Sequence, residues 1–174
     1  ALDYLMQSHK IKEKYGNKYD IGVSFVNIGN IYSHKGDYDT AQRYFDRSLK
    51  IQAELSDNFS MGAALIGIGN LYWQKRDYNK ALDYYSKSLK IREKIDDKSG
   101  MGQSLHNIGL VYSNKGDLDK AIYYNQKSLK IRIKLGDKIG MGNCLYSMGV
   151  DYYNRHNYKK AMKHLEKSLI IKKE

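Results

Sequence analysis

Five histidines, one cysteine and a short glycine cluster are the side chains of this sequence whose types could do chemistry. His9, His34, His106, His156 and His164 show no metal-ligand spacing and fall on different helices, so they do not read as a metal site. Cys144 is the single cysteine and cannot form an internal disulfide. With no paired His and Asp nearby, it reads as a small buried residue. The run Gly67-Ile68-Gly69 is too short for a phosphate loop and lies inside a helical pattern. Asn58-Phe59-Ser60 matches a glycosylation sequon, which matters only in a secreted chain. No catalytic constellation emerges. The chain is not expected to be an enzyme, and neither a cofactor nor a metal is expected.

Composition bounds what else these residues could serve. The chain has 174 residues, 41% of them hydrophobic and 28% charged, as in a folded soluble domain. No apolar run approaches the about 18 residues of a membrane span. Residues 1–10 are amphipathic and do not resemble a signal peptide. Without an initiator Met, the chain looks excised from something longer. One cysteine makes a reduced, cytoplasmic setting the default. Proline is absent, which favours uninterrupted helices. The formal net charge of +11 raises the question of nucleic acid or an anionic membrane, and the answer depends on where the charges sit.

The elements that position these residues are set by an internal period. The segments IGNIYSHKGDY, IGNLYWQKRDY, IGLVYSNKGDL and MGVDYYNRHNY begin at residues 28, 68, 108 and 148, so the repeat is forty residues long. Gly29, Gly69, Gly109 and Gly149 form one column. Tyr32, Tyr72, Tyr112 and Tyr152 form another, as do Ala1, Ala41, Ala81, Ala121 and Ala161, and Ser8, Ser48, Ser88, Ser128 and Ser168.

Each unit reads as two helices. The first carries Leu65, Ile68, Leu71 and Tyr72 at helical spacing. Lys35-Gly36-Asp37 or Lys115-Gly116-Asp117 then forms a turn, with Gly in the left-handed conformation and Asp capping the next helix. The second helix runs over about 38–55, with Ala41, Tyr44, Phe45, Ser48, Leu49 and Ile51 on one face. Asn17, Asp57, Asp97 and Asp137 are expected N-caps of the first helices. Small residues allow close helix approach, so Gly29 and Ala41 are expected where the two helices of a unit touch. One hairpin cannot bury its apolar face alone, but stacked neighbours can.

The pattern resembles the tetratricopeptide repeat. A large residue, an aliphatic-Gly pair and Tyr in the first helix, followed by Ala, an aromatic and a small residue in the second, fall here on Phe25, Ile28, Gly29, Tyr32, Ala41, Phe45 and Ser48. The resemblance covers almost the whole chain. It implies an all-α fold, an α-solenoid of stacked antiparallel helix pairs forming a superhelix. Residues 1–174 are then a single array, with a half repeat at 1–16 (second helix only) and four repeats at 17–56, 57–96, 97–136 and 137–174. The common repeat has about 34 residues and usually ends on Pro. The longer form, with its extra residues around NFSMGA, KSGMGQ and KIGMGN, is similar to the repeats of kinesin light chains, of polarity adaptors and of bacterial signalling proteins. The insertion is expected to lengthen the first helix.

In such proteins the first helices line a groove that holds a peptide or helix of a partner. The matching positions are Val23, Val26, Asn30, Ser33 and His34 in the first repeat and Ala63, Ile66, Asn70, Trp73 and Gln74 in the second. Gln103, His106, Leu110, Ser113 and Asn114 follow in the third, with Asn143, Tyr146, Val150, Tyr153 and Asn154 in the fourth. This surface holds no Lys or Arg. Amides can donate to and accept from a peptide backbone, and Trp73, Tyr146 and Tyr153 offer hot-spot area. His34 and His106 read as polar lining. Where some relatives clamp a terminal carboxylate with Lys, this chain has Val26, Ile66, His106 and Tyr146, which argues against that mode.

The basic residues form columns on the second helices: Lys80, Lys120 and Lys160; Arg47, Lys87, Lys127 and Lys167; Lys10, Lys50, Lys90 and Lys130; Lys12, Arg92, Arg132 and Lys172. All are expected on the convex outside as a solvated face. The alternative is docking of an acidic partner, nucleic acid or a membrane surface there. Nucleic acid is disfavoured, because most tyrosines sit in core columns and cannot stack on bases. Both ends look uncapped, and Ile170 replaces the Lys of other copies. The array is therefore expected either to continue into further repeats or to associate end to end.

Overall fold

The computed structural model describes residues 2–173. Among them nine helices follow in order: α1 Leu2–Tyr15, α2 Lys18–His34, α3 Tyr38–Glu54, α4 Asn58–Gln74, α5 Tyr78–Lys94, α6 Lys98–Asn114, α7 Leu118–Leu135, α8 Lys138–Asn154 and α9 Tyr158–Lys173. Ala1, the first member of the alanine column, lies outside the described residues. Paired helices such as α4 and α5 are 17 residues each. With the short turns between them they account for the forty-residue period.

Local chemistry explains the boundaries. The side chains of Asn17, Asp37, Asp57, Asp77, Asp97, Asp117 and Asp137 each accept from the backbone N–H three residues on. Such a cap stabilises a helix by about 1 kcal/mol. Gly36 and Gly116 close first helices with φ of 81° and 80°, and Gly136 closes α7 with φ of 67°. Arg76 and His156 hold the same left-handed turn as Gly36, with φ of 60° and 58°, at a conformational cost a glycine avoids.

The chain divides into two compact units, residues 1–95 and 96–174. In the first, α2 pairs with α3 and α4 with α5, while α4 also meets α3 and α2, and α1 rests on α2. Ala41, Phe45, Ile68 and Leu71 form a buried cluster with Val26, Tyr32, Leu49 and Tyr72 against it. In the second unit α6 pairs with α7 and α8 with α9, and α8 meets α7 and α6. Ile122, Leu145 and Met148 form its cluster, flanked by Leu129, Tyr152 and Ile171.

The repeated columns have distinct jobs. A methyl at Gly29 would lie 2.9 Å from the Phe45 ring, and one at Gly149 would lie 2.7 Å from Leu165. The glycine therefore makes room for the large residue of the second helix four positions beyond the alanine. Ala41, Ala81 and Ala121 are fully buried, but they are not the first atoms the glycine meets. The serines act as donors. Ser48, Ser88, Ser128 and Ser168 donate to the carbonyls of Gly22, Gly62, Gly102 and Gly142 at 2.8, 2.8, 2.7 and 2.7 Å. Each bond ties a second helix to the start of its own first helix.

Candidate ligand-binding faces

In the first unit the expected lining residues divide by environment. His34 is exposed and Trp73 is 39% exposed. Val23, Val26, Asn30 and Ala63 are half-buried, with Val26 against the core cluster. Asn30 sits against α4, its Oδ1 3.3 Å from where a methyl on Gly67 would be. Asn70 accepts from the Tyr85 hydroxyl at 2.7 Å, and burial pushes that phenol's pKa up. Gln74 accepts from Ser33 at 2.9 Å, linking α4 to α2. Ile66 corrects the sequence reading. It is only 5% exposed, because α4 is apolar nearly all round, so it packs inside rather than lining a surface.

In the second unit Gln103, Asn143, Tyr146, Tyr153 and Asn154 are exposed, while Leu110, Ser113 and Val150 are half-buried. Tyr146 and Tyr153 show 54% and 59% of their surface. The Lys172 ammonium lies 5.6 Å from the Tyr146 ring centre, and Tyr153 meets Tyr158 edge-on at 5.5 Å. Asn114 donates to the Leu110 carbonyl of its own helix at 2.8 Å. His106 is half-buried, with its Nδ1 edge turned inward. Its Nδ1 lies 2.8 Å from the Asn125 Oδ1.

Two groups escaped the sequence reading. The first is a polar network around Cys144. This residue is fully buried as expected, but it does have a histidine beside it, since its Sγ is 3.8 Å from the His106 Nδ1. The two lie 38 residues apart, which is why chain proximity concealed them. Cys144 donates to Ser128 at 3.2 Å. The Arg132 Nε also donates to Ser128, at 3.2 Å, and the guanidinium pairs with Asp137. Burial raises the thiol pKa, so Cys144 has the character of a structural, not a nucleophilic, cysteine. The second is Asp151, buried in a column otherwise filled by Ile31, Leu71 and Val111. Ser113 donates to its Oδ1 at 2.5 Å, while Oδ2 is buried without a hydrogen bond. An acid in an aliphatic column was the available signal.

The basic columns do not behave alike. Lys80, Lys120 and Lys160 lie over the Tyr72, Tyr112 and Tyr152 rings at 5.0, 5.1 and 5.3 Å. Lys80 and Lys120 also pair with the capping Asp77 and Asp117. Lys50, Lys90 and Lys130 are exposed. The column of Arg92 and Arg132 is a correction. Arg92 is only 4% exposed and lies across Gly62 and over the Phe59 ring. The side chain of Arg132 is 14% exposed. Glycine at 62, 102 and 142 leaves a slot, and the side chain of the residue thirty positions on lies across it: Arg92 with its Nε and Cδ, Arg132 with its Cγ and Nε, and Lys172 with its aliphatic stem. Three tyrosine pairs, Tyr32–Tyr44, Tyr72–Tyr84 and Tyr112–Tyr124, stack on each other. Among the described residues no helix is long and apolar enough to cross a membrane.

Comparison with known proteins fits this geometry. No curated protein matches the chain in sequence. Aspartyl phosphate phosphatase F from Bacillus subtilis superimposes with a TM-score of 0.90 at 14% identity, over 98% of this chain and 45% of that one. A Rap protein complexed with Competence and Sporulation Factor gives a TM-score of 0.89 at 14% identity, over 98% and 48%. Kinesin-light-chain-like, nearly identical repeats from Podosopora anserina give 0.72 at 16% identity, over 98% and 84%. The chain thus spans less than half the length of the first two. These likenesses place the fold among the all-α solenoids of antiparallel helix pairs. The tetratricopeptide-repeat family model matches residues 20–94 and again 100–174, and the chain belongs to the tetratricopeptide repeat family.

Proposed function

We propose that the chain is a protein-interaction module that holds a peptide or helix of a partner protein against its first helices. The observation that carries this reading is the exposure of Trp73, Tyr146 and Tyr153 among accessible amides on helices that carry no Lys or Arg at the lining positions. Large rigid rings at the surface supply contact area at low entropic cost. The fold likeness to a Rap protein solved with Competence and Sporulation Factor supports the same reading. So does the unbroken register through Asp57, Asp97 and Asp137, on which the single array over 1–174 rests. Binding rather than catalysis, and a cytoplasmic setting, belong to this proposal.

The test is selection of ligands from a random peptide library, followed by titration. Trp73→Ala or Tyr146→Ala should each weaken binding by about tenfold or more, with little dependence on salt. Binding that survives both substitutions would overturn the reading. The exposed Lys50, Lys90 and Lys130 favour a second one, docking of an acidic partner. It predicts affinity that falls steeply as salt rises.

A further inference from the structure

The third repeat carries a polar pair where the other repeats are apolar or aromatic. His106 and Asn125 occupy the positions of Val26 and Phe45, Ile66 and Tyr85, and Tyr146 and Leu165. Asn125 is fully buried and lies against Gly109. A buried carboxamide must have its hydrogen bonds made or it costs free energy, and the other repeats show that the fold does not need one here.

The hydrogen bonds fix the protonation pattern. The Asn125 Nδ2 lies 3.1 Å from the Ala121 carbonyl, which can only accept. The amide nitrogen must therefore face that carbonyl, and Oδ1 must face His106. An amide oxygen can only accept, so His106 carries its proton on Nδ1. In the neutral ring Nε2 is then a bare acceptor. The Nδ1 edge faces Asn125 and Cys144, both fully buried, so the exposed part of this half-buried ring is the opposite edge, where Nε2 sits. Among the described residues Nε2 has no hydrogen-bond partner.

We propose that His106 is a peptide-contacting residue of the binding face, offering Nε2 as an acceptor to a backbone N–H of the bound peptide, with Asn125 as the positioning residue that fixes its tautomer. This rests on the peptide-binding reading above. The surrounding charges are consistent with a neutral ring. Burial lowers the His106 pKa, Asn125 opposes this, and Arg132 on α7 lowers it further. Arg132 is itself paired with Asp137, and Cys144 on α8 is held protonated by burial. A proton added to His106 lands on Nε2 and abolishes the acceptor.

The test uses peptides selected from a random library on the whole chain near neutral pH. The double variant His106→Val/Asn125→Leu exchanges the polar pair for an apolar one. It should unfold at a temperature no lower than the parent, yet bind about tenfold more weakly. The parent's affinity should fall as pH drops below the ordinary histidine range, since the His106 pKa is lowered, and the variant's should not. Methylating one backbone nitrogen of the peptide should reproduce the loss and add nothing in the variant. Equal binding by parent and double variant, with Tyr146→Ala still weakening both, would overturn this assignment and leave the groove standing. Failure to select any peptide, or indifference to Tyr146→Ala as well, would overturn both.

Discussion

At the residue scale, Asp151 is a costly side chain to bury. Its carboxylate is buried, one oxygen has no partner, and burial raises its pKa while the Ser113 bond lowers it, burial being the larger effect. The folded value thus lies above the unfolded one. Stability is then fully present below the unfolded carboxylate range and is lost as pH rises through the folded pKa. Asp151→Val, which copies Val111 of the preceding repeat, should raise stability by roughly 1–3 kcal/mol at pH 7 and by less at pH 4. Thermal unfolding at the two pH values checks this, and a loss of stability at pH 7 would contradict it. Ser113, the carboxylate's partner, is half-buried and can turn its hydroxyl to its own helix.

At the element scale, each repeat is closed by the same devices, so departures from them are informative. Arg76 stands where Gly36 and Gly116 stand, with φ of 60°, and it is exposed. Arg76→Gly should therefore stabilise the turn between α4 and α5, by roughly 0.5–1 kcal/mol, since relief of left-handed strain exceeds the entropy glycine adds to the unfolded chain. A higher urea midpoint with an unchanged slope would show it. The serine bonds to Gly22, Gly62, Gly102 and Gly142 work at the same scale. They place the start of each first helix on the end of its second, and the slot so formed takes the side chains of Arg92 and Arg132.

At the scale of the whole molecule, apolar surface is left uncovered on α9. Met162, Leu169 and Ile170 are 61%, 56% and 57% exposed. A patch of this kind favours association, and Ile170 replaces the lysine of the four other copies. We expect the chain to show a mass that rises with concentration in light scattering, and Ile170→Lys to return it towards the monomer. An unchanging monomer mass for the parent chain would refute this. The expectation concerns this chain by itself. In a longer protein the same face would be available to whatever follows it.

The sequence by itself determined the repeat, the helices and their caps. Each follows from local chemistry: a period of forty, an apolar stripe at helical spacing, an Asp or Asn that accepts from the backbone N–H three residues on, and a glycine able to take positive φ. Its reading of Cys144 as small and buried followed from residue type alone. What only the tertiary structure decided concerns pairs distant in the chain. Nothing local places His106 beside Asn125 and Cys144, or Asp151 beside Ser113, because those contacts arise from neighbouring helices of a stack. The same holds for Arg92, whose charge reads as solvated until the glycine slot is seen to bury it, and for Ile66, whose column reads as exposed until α4 is seen to be apolar on nearly every side. His106 and Cys144 are thus not solitary. His106 has a fixed tautomer because a carboxamide from another helix, held by a backbone carbonyl, leaves it no alternative.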